Sequence, residues 1–319
     1  MNKLNRQRFL LSMLSGIIAL WTVFTGCVSG GTPAPADSSV SSPEESEPMP
    51  DLESESTLSV ELDPQYEESE KRPPEIDYIQ QTVDETIKKL VEPGMTEYEM
   101  AKAAFDYLIE TSYYEEPIGQ DLWRIRGGGD LPSYEENRAL SILLFGIGYC
   151  EDYASALVLL LEGMGMEARY VAGVTYSRYG YLVNHAWTVA KIDGVWYHLD
   201  AQLEDRVTQN DWVTYRFFMK SDGSMRKSHL WGQNLIDSGW LSAEQNEEIA
   251  QYYLYESCPE DYPTPESQTI VPTPFPDIAA ILAEIEEERR AYELLYGKLE
   301  EIDLNVIPPV FGEEDWQSN

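Results

Sequence analysis

A helix that is apolar on almost every side constrains this chain of 319 residues more than any other feature. Residues Asp152–Met164 carry large apolar side chains at helical spacing, and small or apolar residues fill most positions between them. Such a helix is expected in the centre of a domain, because it has no wide polar face to turn to water. Gly146 and Gly148 precede it, and Gly163 and Gly165 end it.

Cys150 lies at the N-terminus of this helix, where backbone N–H groups lack helical partners and favour negative charge. A free thiol with a pKa near 8.5 needs roughly 2 kcal/mol to become mainly thiolate at neutral pH. A helix terminus supplies about 0.3–1 kcal/mol of this. A histidine cation is the usual source of the rest, and the chain offers three candidates: His185, His198 and His229.

A predicted hairpin selects one of these histidines. Two strand-like segments flank Asp193-Gly194, which is a strong signal for a two-residue turn. The pairing that follows from so tight a turn makes His185 and Asp200 diagonal neighbours on one face of the sheet. His198 falls on the same face but on the order of 13 Å further along. A slip of one residue in register would move these side chains to the wrong faces.

Together these residues predict a thiol triad, with Cys150 as nucleophile, His185 as base and Asp200 as the group that orients the base. Each residue type alone is more often structural, since a cysteine in an apolar helix is usually a packing residue. His198 and His229 are interpreted as structural. No metal site is predicted, because no second cysteine or histidine lies at ligand spacing, and no cofactor is expected.

Three motifs in the same order carry a resemblance to a known family: Gly148-x-Cys150-x-x-Tyr153-Ala154, His185-Ala186-Trp187, and Trp196-Tyr197-His198-Leu199-Asp200. They resemble the transglutaminase-like superfamily of papain-type thiol enzymes. A later run, from Tyr215 through His229-x-Trp231, is similar to bacterial members. The resemblance covers roughly residues 76–231.

The resemblance implies an α+β, papain-like fold, with the nucleophile at the N-terminus of a buried helix that packs on an antiparallel sheet. It also implies the Cys-His-Asp triad at Cys150, His185 and Asp200. Many relatives carry Thr and Trp shortly after the aspartate, where this chain has Gln202 and Leu203. This departure concerns the substrate pocket more than the triad.

The amino terminus has the pattern of an export signal. Three basic residues precede an apolar run over residues 9–24. The run ends at Phe24-Thr25-Gly26-Cys27, which resembles a bacterial lipobox. We therefore predict a lipoprotein signal peptide over residues 1–26, lipidation of Cys27, and a membrane-anchored protein at the bacterial cell surface. An uncleaved anchor or an ordinary secretory signal are the alternatives.

Residues 27–75 are rich in Ser, Pro and Glu and predict a disordered acidic tether. The formal net charge of the chain is −35, which argues against nucleic acid as a partner. The charge is typical of a well-solvated surface, and cationic substrates such as lysine-bearing polymers are a second interpretation.

The remaining chain divides into three predicted parts. Residues 76–258 form the catalytic domain, 259–276 a Pro-rich linker, and 277–319 an acidic helix and tail. The domain should open with two helices, the second capped by Thr96, and should contain a strand at Trp212–Met219 in the main sheet and a helix at Ser242–Tyr255. The C-terminal helix either packs on the domain or pairs with itself. Cys258 is expected to stay unpaired.

The expected chemistry is acyl transfer through a cysteine thioester, with protein or peptide amide bonds as substrates and cell-wall peptide as one candidate. The Cys150 backbone N–H is the first expected oxyanion donor, and Gln120, Trp123 or Asn137 could supply a second. Hydrolysis and transamidation share the first half-reaction, and hydrolysis is slightly favoured. The rival hypothesis is a catalytically silent interaction module at the cell surface.

Overall fold

The computed structural model describes residues 76–128, 131–177, 179–207, 212–240 and 257–299. The predicted signal peptide, Cys27, the tether and the helix at Ser242–Tyr255 lie outside these ranges. None of the helices within the described ranges is both long and apolar enough to cross a membrane.

The helices begin and end where the sequence provides caps. Thr96 and Glu99 form the capping box that the sequence predicts, and Ser133 and Glu136 form a second one. In chain order the helices are α1 Tyr78–Leu90, α2 Glu97–Thr111, α3 Leu122–Arg126, α4 Tyr134–Phe145, α5 Cys150–Gly163, α6 Ala201–Val207, α7 Asp222–Met225, α8 Gln233–Asp237 and α9 Ile278–Tyr296.

The strands form one main sheet and two small ones. They are β1 Tyr113–Tyr114, β2 Ile147–Gly148, β3 Glu167–Tyr176, β4 Leu182–Ile192, β5 Val195–Leu199, β6 Trp212–Val213, β7 His229–Leu230 and β8 Gln268–Thr269. The main sheet is antiparallel, with the order β5-β4-β3-β7. Short pairs join β1 to β2 in parallel and β6 to β8 antiparallel. This arrangement confirms the predicted α+β class.

The β4–β5 hairpin has the predicted register. Ile192 pairs with Val195 across the turn, and the pairing continues outward along both strands. The two turn residues, Asp193 and Gly194, have φ angles of 52° and 82°. Positive φ at both central positions is what a tight turn requires to match the twist of the strands, and Asp and Gly tolerate it well.

Helix α5 lies at the centre of the core, as its composition predicts, and ten of its 14 residues are buried. The face of β4 that carries Thr188 covers α5, because the Thr188 hydroxyl donates to the Ala154 carbonyl at 3.0 Å. The side chains of His185 and Trp187 point to the opposite face of β4. Gly163 gives α1 room to approach, since a Cβ there would lie 2.5 Å from Ile87.

The predicted strand at Trp212–Met219 is wrong in both length and position. Only Trp212–Val213 is a strand, and it pairs with β8 outside the main sheet. Tyr215 and Met219 have φ angles of 57° and 52°, and such angles bend the chain out of an extended path. The segment returns to the main sheet at Lys220, which forms a single bridge to His198.

The predicted linker at 259–276 has little regular structure but is bound to the domain along its length. Asp261 accepts from the Ser221 N–H at 2.7 Å, and the Tyr262 N–H donates to the Met219 carbonyl at 3.0 Å. Further along, Ile270 is buried in the core. The domain boundaries themselves remain predictions.

Helix α9 packs against α3. Arg126 forms a two-pronged ion pair with Glu288 at 2.7 and 2.8 Å, and Arg289 pairs with Asp121 at 2.6 Å. Ile285 fills the contact between them and is buried. Of the two roles expected for this helix, packing on the domain is therefore observed, while much of its remaining surface is exposed.

Candidate active site

Cys150 is the first residue of α5, as the sequence predicts. The first turn is held by Asp152, whose buried carboxylate accepts from the Tyr149 N–H at 2.7 Å and pairs with Arg138 at 2.9 Å. Gly148 is required for this arrangement, because a Cβ there would lie 2.5 Å from the Cβ of Asp152. The local sequence thus fixes the backbone that presents the cysteine.

The sulfur of Cys150 lies between a backbone donor and a carboxylate. The backbone N–H of Ala186, the residue after His185, acts on the sulfur and lowers the pKa of the thiol. The thiol itself donates to the Glu151 carboxylate at 3.3 Å. The residue is buried, with a relative exposure of 6%.

This environment corrects one expectation. The sequence predicts a lowered thiol pKa, whereas burial raises the pKa of Cys150 well above its ordinary value, and the charges of Glu151 and Asp200 add to the rise. Desolvation and two nearby carboxylates outweigh the helix terminus and the Ala186 N–H. The resting thiol is therefore protonated at neutral pH.

The predicted contact between His185 and Asp200 is confirmed. Nε2 of His185 lies 2.6 Å from Oδ2 of Asp200, and both side chains are buried. The other carboxylate oxygen accepts from the Leu203 N–H at 2.9 Å, which ties Asp200 to the start of α6. Because Nε2 is engaged, Nδ1 is the nitrogen of His185 that can exchange a proton with a thiol. The catalytic roles of the three residues remain predictions.

Asp200 is held as an anion inside the protein. Burial alone would raise its pKa, but the charge of His185 and the hydrogen bonds from His185 and His229 outweigh burial and hold the pKa well below its usual range. A carboxylate that stays ionised in a dry site can stabilise an imidazolium ring at its own hydrogen-bond distance.

His229 is the residue that sequence reasoning missed at this site. Its Nε2 lies 2.9 Å from the same Asp200 oxygen, and its Nδ1 lies 2.9 Å from the Ser228 hydroxyl. The ring packs edge-on against Trp187, with centroids 4.9 Å apart. No local spacing signals this contact, because β7 reaches the site through its pairing with β3. The resemblance of His229-x-Trp231 to bacterial relatives was the available signal.

His198 has the structural environment that the sequence predicts. Its Nδ1 accepts from the Trp187 indole N–H at 2.9 Å, and its Nε2 lies 2.9 Å from Asp222. Cys258, which is free and buried, lies beside this pair. Trp187 therefore stands between two histidine–aspartate pairs on one sheet.

Two groups of potential metal ligands come together in the described ranges, each with its ligand atoms within 4.8 Å of one another: His185, Asp200 and His229, and His198, Asp222 and Cys258. Sequence spacing gives no sign of either group, since the members come from distant positions. The second group fits a metal poorly. Trp187 only donates, so Nδ1 of His198 must accept, and Nε2 then carries the proton. In the first group one carboxylate oxygen already faces both Nε2 atoms, an arrangement suited to two N–H donors.

The three candidates for a second oxyanion donor lie in different surroundings. Gln120 is beside the first turn of α5, with its amide nitrogen 3.5 Å from Asp152. Trp123 packs in a small cluster with Ile79 and Leu140. Asn137 is buried in α4, and its amide has no hydrogen-bond partner among the described residues. Of the three side chains, Gln120 is the one with a hydrogen bond to the first turn of α5 among the described residues.

These features define a class of protein. A cysteine that begins a buried central helix, next to a histidine–aspartate pair on an antiparallel sheet, is the arrangement of papain-type thiol enzymes. Residues 84–201 match the family model described as the Transglutaminase-like superfamily. The match confirms the resemblance that the motifs predict, and the matched residues include Cys150, His185 and Asp200.

Similar solved structures include a TGase, with 15% identity and a TM-score of 0.29 over 39% of this chain and 31% of that chain. A candidate cysteine protease from Cytophaga hutchinsonii has 19% identity and a TM-score of 0.29, covering 46% of this chain and 44% of that chain. An arylamine N-acetyltransferase from Bacillus cereus has 15% identity and a TM-score of 0.29, covering 40% of this chain and 49% of that chain. The chain thus spans less than half the length of each. No curated protein matches the sequence.

Proposed function

We propose that this domain is a thiol enzyme that cleaves or exchanges peptide or isopeptide amide bonds through a cysteine thioester. One observation carries the proposal: Nε2 of His185 lies 2.6 Å from Oδ2 of Asp200 in the buried interior. The backbone N–H of Ala186, the residue after His185, acts on the sulfur of Cys150 and supports the same arrangement. Nucleophile, base and orienting group thus come from the N-terminus of α5, from β4 and from the end of β5.

The first half-reaction follows from these positions. The Cys150 proton moves to Nδ1 of His185, and the sulfur attacks the carbonyl carbon of the amide. The Cys150 backbone N–H donates to the oxyanion. When the intermediate collapses, the C–N bond breaks, the amine leaves with the proton from His185, and a thioester remains. Water or a second amine then attacks, gives a proton to His185, and releases the sulfur, which takes the proton back.

The raised thiol pKa sets the order of these events. Because burial and Glu151 disfavour a resting thiolate, the proton should leave the sulfur as the sulfur attacks, rather than in the free protein. The charged pair of sulfur and imidazole then forms only while Asp200 and the oxyanion donor stabilise it. Such a site is protected from casual oxidation, which requires thiolate character and exposure.

The partners follow from the proposed chemistry and from the composition of the chain. The acyl donor is a protein or peptide, with cell-wall peptide as a candidate, and hydrolysis is slightly favoured over transamidation. The excess of acidic residues disfavours nucleic acid. Export as a bacterial lipoprotein anchored through Cys27 is part of the same proposal.

A catalytically silent interaction module is the second candidate, and two observations favour it. Cys150 has a relative exposure of 6%, and the pKa of its thiol is raised by burial. Gln202 and Leu203 stand where many relatives carry Thr and Trp. A thiol that no substrate can reach would leave the fold as a binding surface.

The pH profile of Cys150 alkylation in the full chain separates these candidates. Peptide mass spectrometry reads Cys150 alone, and the profile is repeated with His185→Ala. An enzyme should be alkylated near neutral pH faster in wild type than in the histidine variant, because His185 takes the proton as the sulfur attacks the reagent. Identical rates and pH profiles in both proteins would contradict the proposal and support the silent module.

A further inference from the structure

We propose that His229 is a positioning residue of the site, which fixes the Asp200 carboxylate for its work on His185. This inference rests on the proposed function, because it assigns a role within the same triad. The inference is based on a contact that no sequence motif predicts. Nε2 of His185, from β4, and Nε2 of His229, from β7, lie 2.6 and 2.9 Å from the same oxygen of the buried Asp200 carboxylate.

The hydrogen-bond pattern decides which atoms carry protons. An ionised carboxylate only accepts, so both Nε2 atoms that face Oδ2 of Asp200 carry a hydrogen. In the neutral His229 ring, Nδ1 is then the acceptor, and the Ser228 hydroxyl at 2.9 Å is placed to donate to it. Asp200 thus selects the tautomer of His229 that carries its proton on Nε2, and the Ser228 hydroxyl satisfies the remaining ring nitrogen.

With the Leu203 N–H on its second oxygen, Asp200 has three donors and no freedom to rotate. A carboxylate held only by His185 and Leu203 could turn in its pocket as the imidazole takes up a proton. Donation from His229 removes that motion, so the oxygen that His185 needs stays at hydrogen-bond distance through the reaction.

The charge of His229 suits this role. Burial lowers the pKa of His229, and the neighbouring rings His185 and His198 add to the decrease, although Asp200 acts in the opposite direction. The ring is therefore neutral at physiological pH. A neutral donor fixes the carboxylate without cancelling its charge, whereas a lysine or arginine at this place would compete for the anion with the imidazolium of His185.

The packing around His229 leaves its ring little freedom. Phe217 packs edge-on against it with centroids 5.6 Å apart, and Trp187 lies on another side. Gly173 makes the arrangement possible, because a Cβ there would lie 2.3 Å from the Leu230 carbonyl and 2.8 Å from the Trp187 ring. Gly173 thus allows β7, at one edge of the main sheet, to place His229 beside Asp200, which follows the strand at the other edge.

The test compares three substitutions in the full chain by the pH profile of Cys150 alkylation. His229→Phe keeps a ring but removes the N–H, and it should lower the rate at neutral pH about tenfold or more and move the reactive limb to higher pH. His229→Gln places an amide N–H where Nε2 lies and should restore most of the rate. His198→Phe, at the histidine that contacts Asp222 instead, is the matched control and should leave the profile unchanged.

Unchanged rate and profile in a folded His229→Phe protein would overturn the inference, and so would equal losses in the Phe and Gln variants. If His229→Phe does not fold, His229→Asn replaces it, because the shorter amide cannot reach the position of Nε2. In that case, slower alkylation of Cys150 in His229→Asn than in His229→Gln supports the inference, and equal rates in the two variants reject it. If the rate of Cys150 alkylation falls in His185→Ala but does not change in the His229 variants, this inference alone is rejected. If the rate does not change in His185→Ala either, the proposed function itself is rejected.

Discussion

Two clusters on the main sheet contain the same three residue types. The first cluster is Cys150, His185 and Asp200, joined by His229. The second cluster is Cys258, His198 and Asp222. In each, a buried histidine lies within 2.9 Å of an aspartate oxygen, with a free buried cysteine close by. Composition alone would not tell which of them could perform chemistry.

The hydrogen bonds separate them. His198 has a partner on each ring nitrogen, because Trp187 donates to Nδ1 and Asp222 faces Nε2. His185 uses Nε2 for Asp200, which leaves Nδ1 for the thiol. Cys150 begins a helix of 14 residues, whereas Cys258 lies in a segment without regular secondary structure. A triad is therefore defined by an imidazole nitrogen that can still take a proton, and by backbone donors near the sulfur.

Replacing the aspartates should give the largest difference between the clusters. Asp200→Asn removes the buried charge and turns an amide N–H toward the donors of His185 and His229. Cys150 alkylation at neutral pH should fall on the order of a hundredfold. Asp222→Asn is the matched variant and should change the rate less than about twofold. Similar losses in both would show that the two clusters act as one unit.

The same pair should differ in acid stability. The Asp200 pKa is lowered in the folded protein, so its contribution is present above the unfolded value of about 3.9 and is lost as the pH falls below it. The free energy of unfolding of Asp200→Asn should therefore approach that of wild type as the pH falls from about 5 toward 2. The Asp222 pKa is also lowered, but this side chain is partly exposed, so its variant should show a weaker trend. Urea unfolding at a series of pH values measures both. A constant difference for Asp200→Asn would contradict the prediction.

Two glycines sharpen the comparison at the level of the backbone. Gly148→Ala would drive a Cβ to 2.5 Å from Asp152 and should cost about 1–3 kcal/mol, because the first turn of α5 must shift. Gly223→Ala, in α7 beside Asp222, meets its nearest atom at 3.9 Å and should be neutral or stabilise by up to about 1 kcal/mol. Urea unfolding at neutral pH compares the two. Equal costs would mean that the capping carboxylate is not rigidly held.

The smallest effect is expected from the neighbour of the nucleophile. Glu151→Gln removes a negative charge 3.3 Å from the sulfur, so the pKa of Cys150 should decrease. Glu162→Gln, at the other end of α5, is the control and should leave that pKa unchanged. The alkylation profile reports both, and an unchanged pKa in Glu151→Gln would show that burial alone sets the resting state of the thiol.

The sequence reveals those parts of the site that depend on local patterns. The position of Cys150 follows from a helix boundary, and the contact of His185 with Asp200 follows from a two-residue turn. His229 could not be found in this way, since its approach depends on strand order and on the missing side chain of Gly173. The raised pKa of Cys150 was missed because burial is a property of the assembled core. The Trp212–Met219 segment failed as a strand because its pattern does not report positive φ at Tyr215 and Met219.

The ion pairs of α9 bear on the order in which the molecule is made. Asp121 and Arg126 are fastened to Arg289 and Glu288, which follow them by 168 and 162 residues. Because the chain is synthesised from its amino end, Glu288 and Arg289 emerge from the ribosome long after Cys150, His185 and Asp200. The same order holds for any channel that passes the chain from its amino end. Residues 120–126, of which Gln120 lies beside the first turn of α5, thus lack their ion pairs with α9 on the nascent chain until residue 289 has emerged. In this protein the timing of synthesis itself delays the finished site.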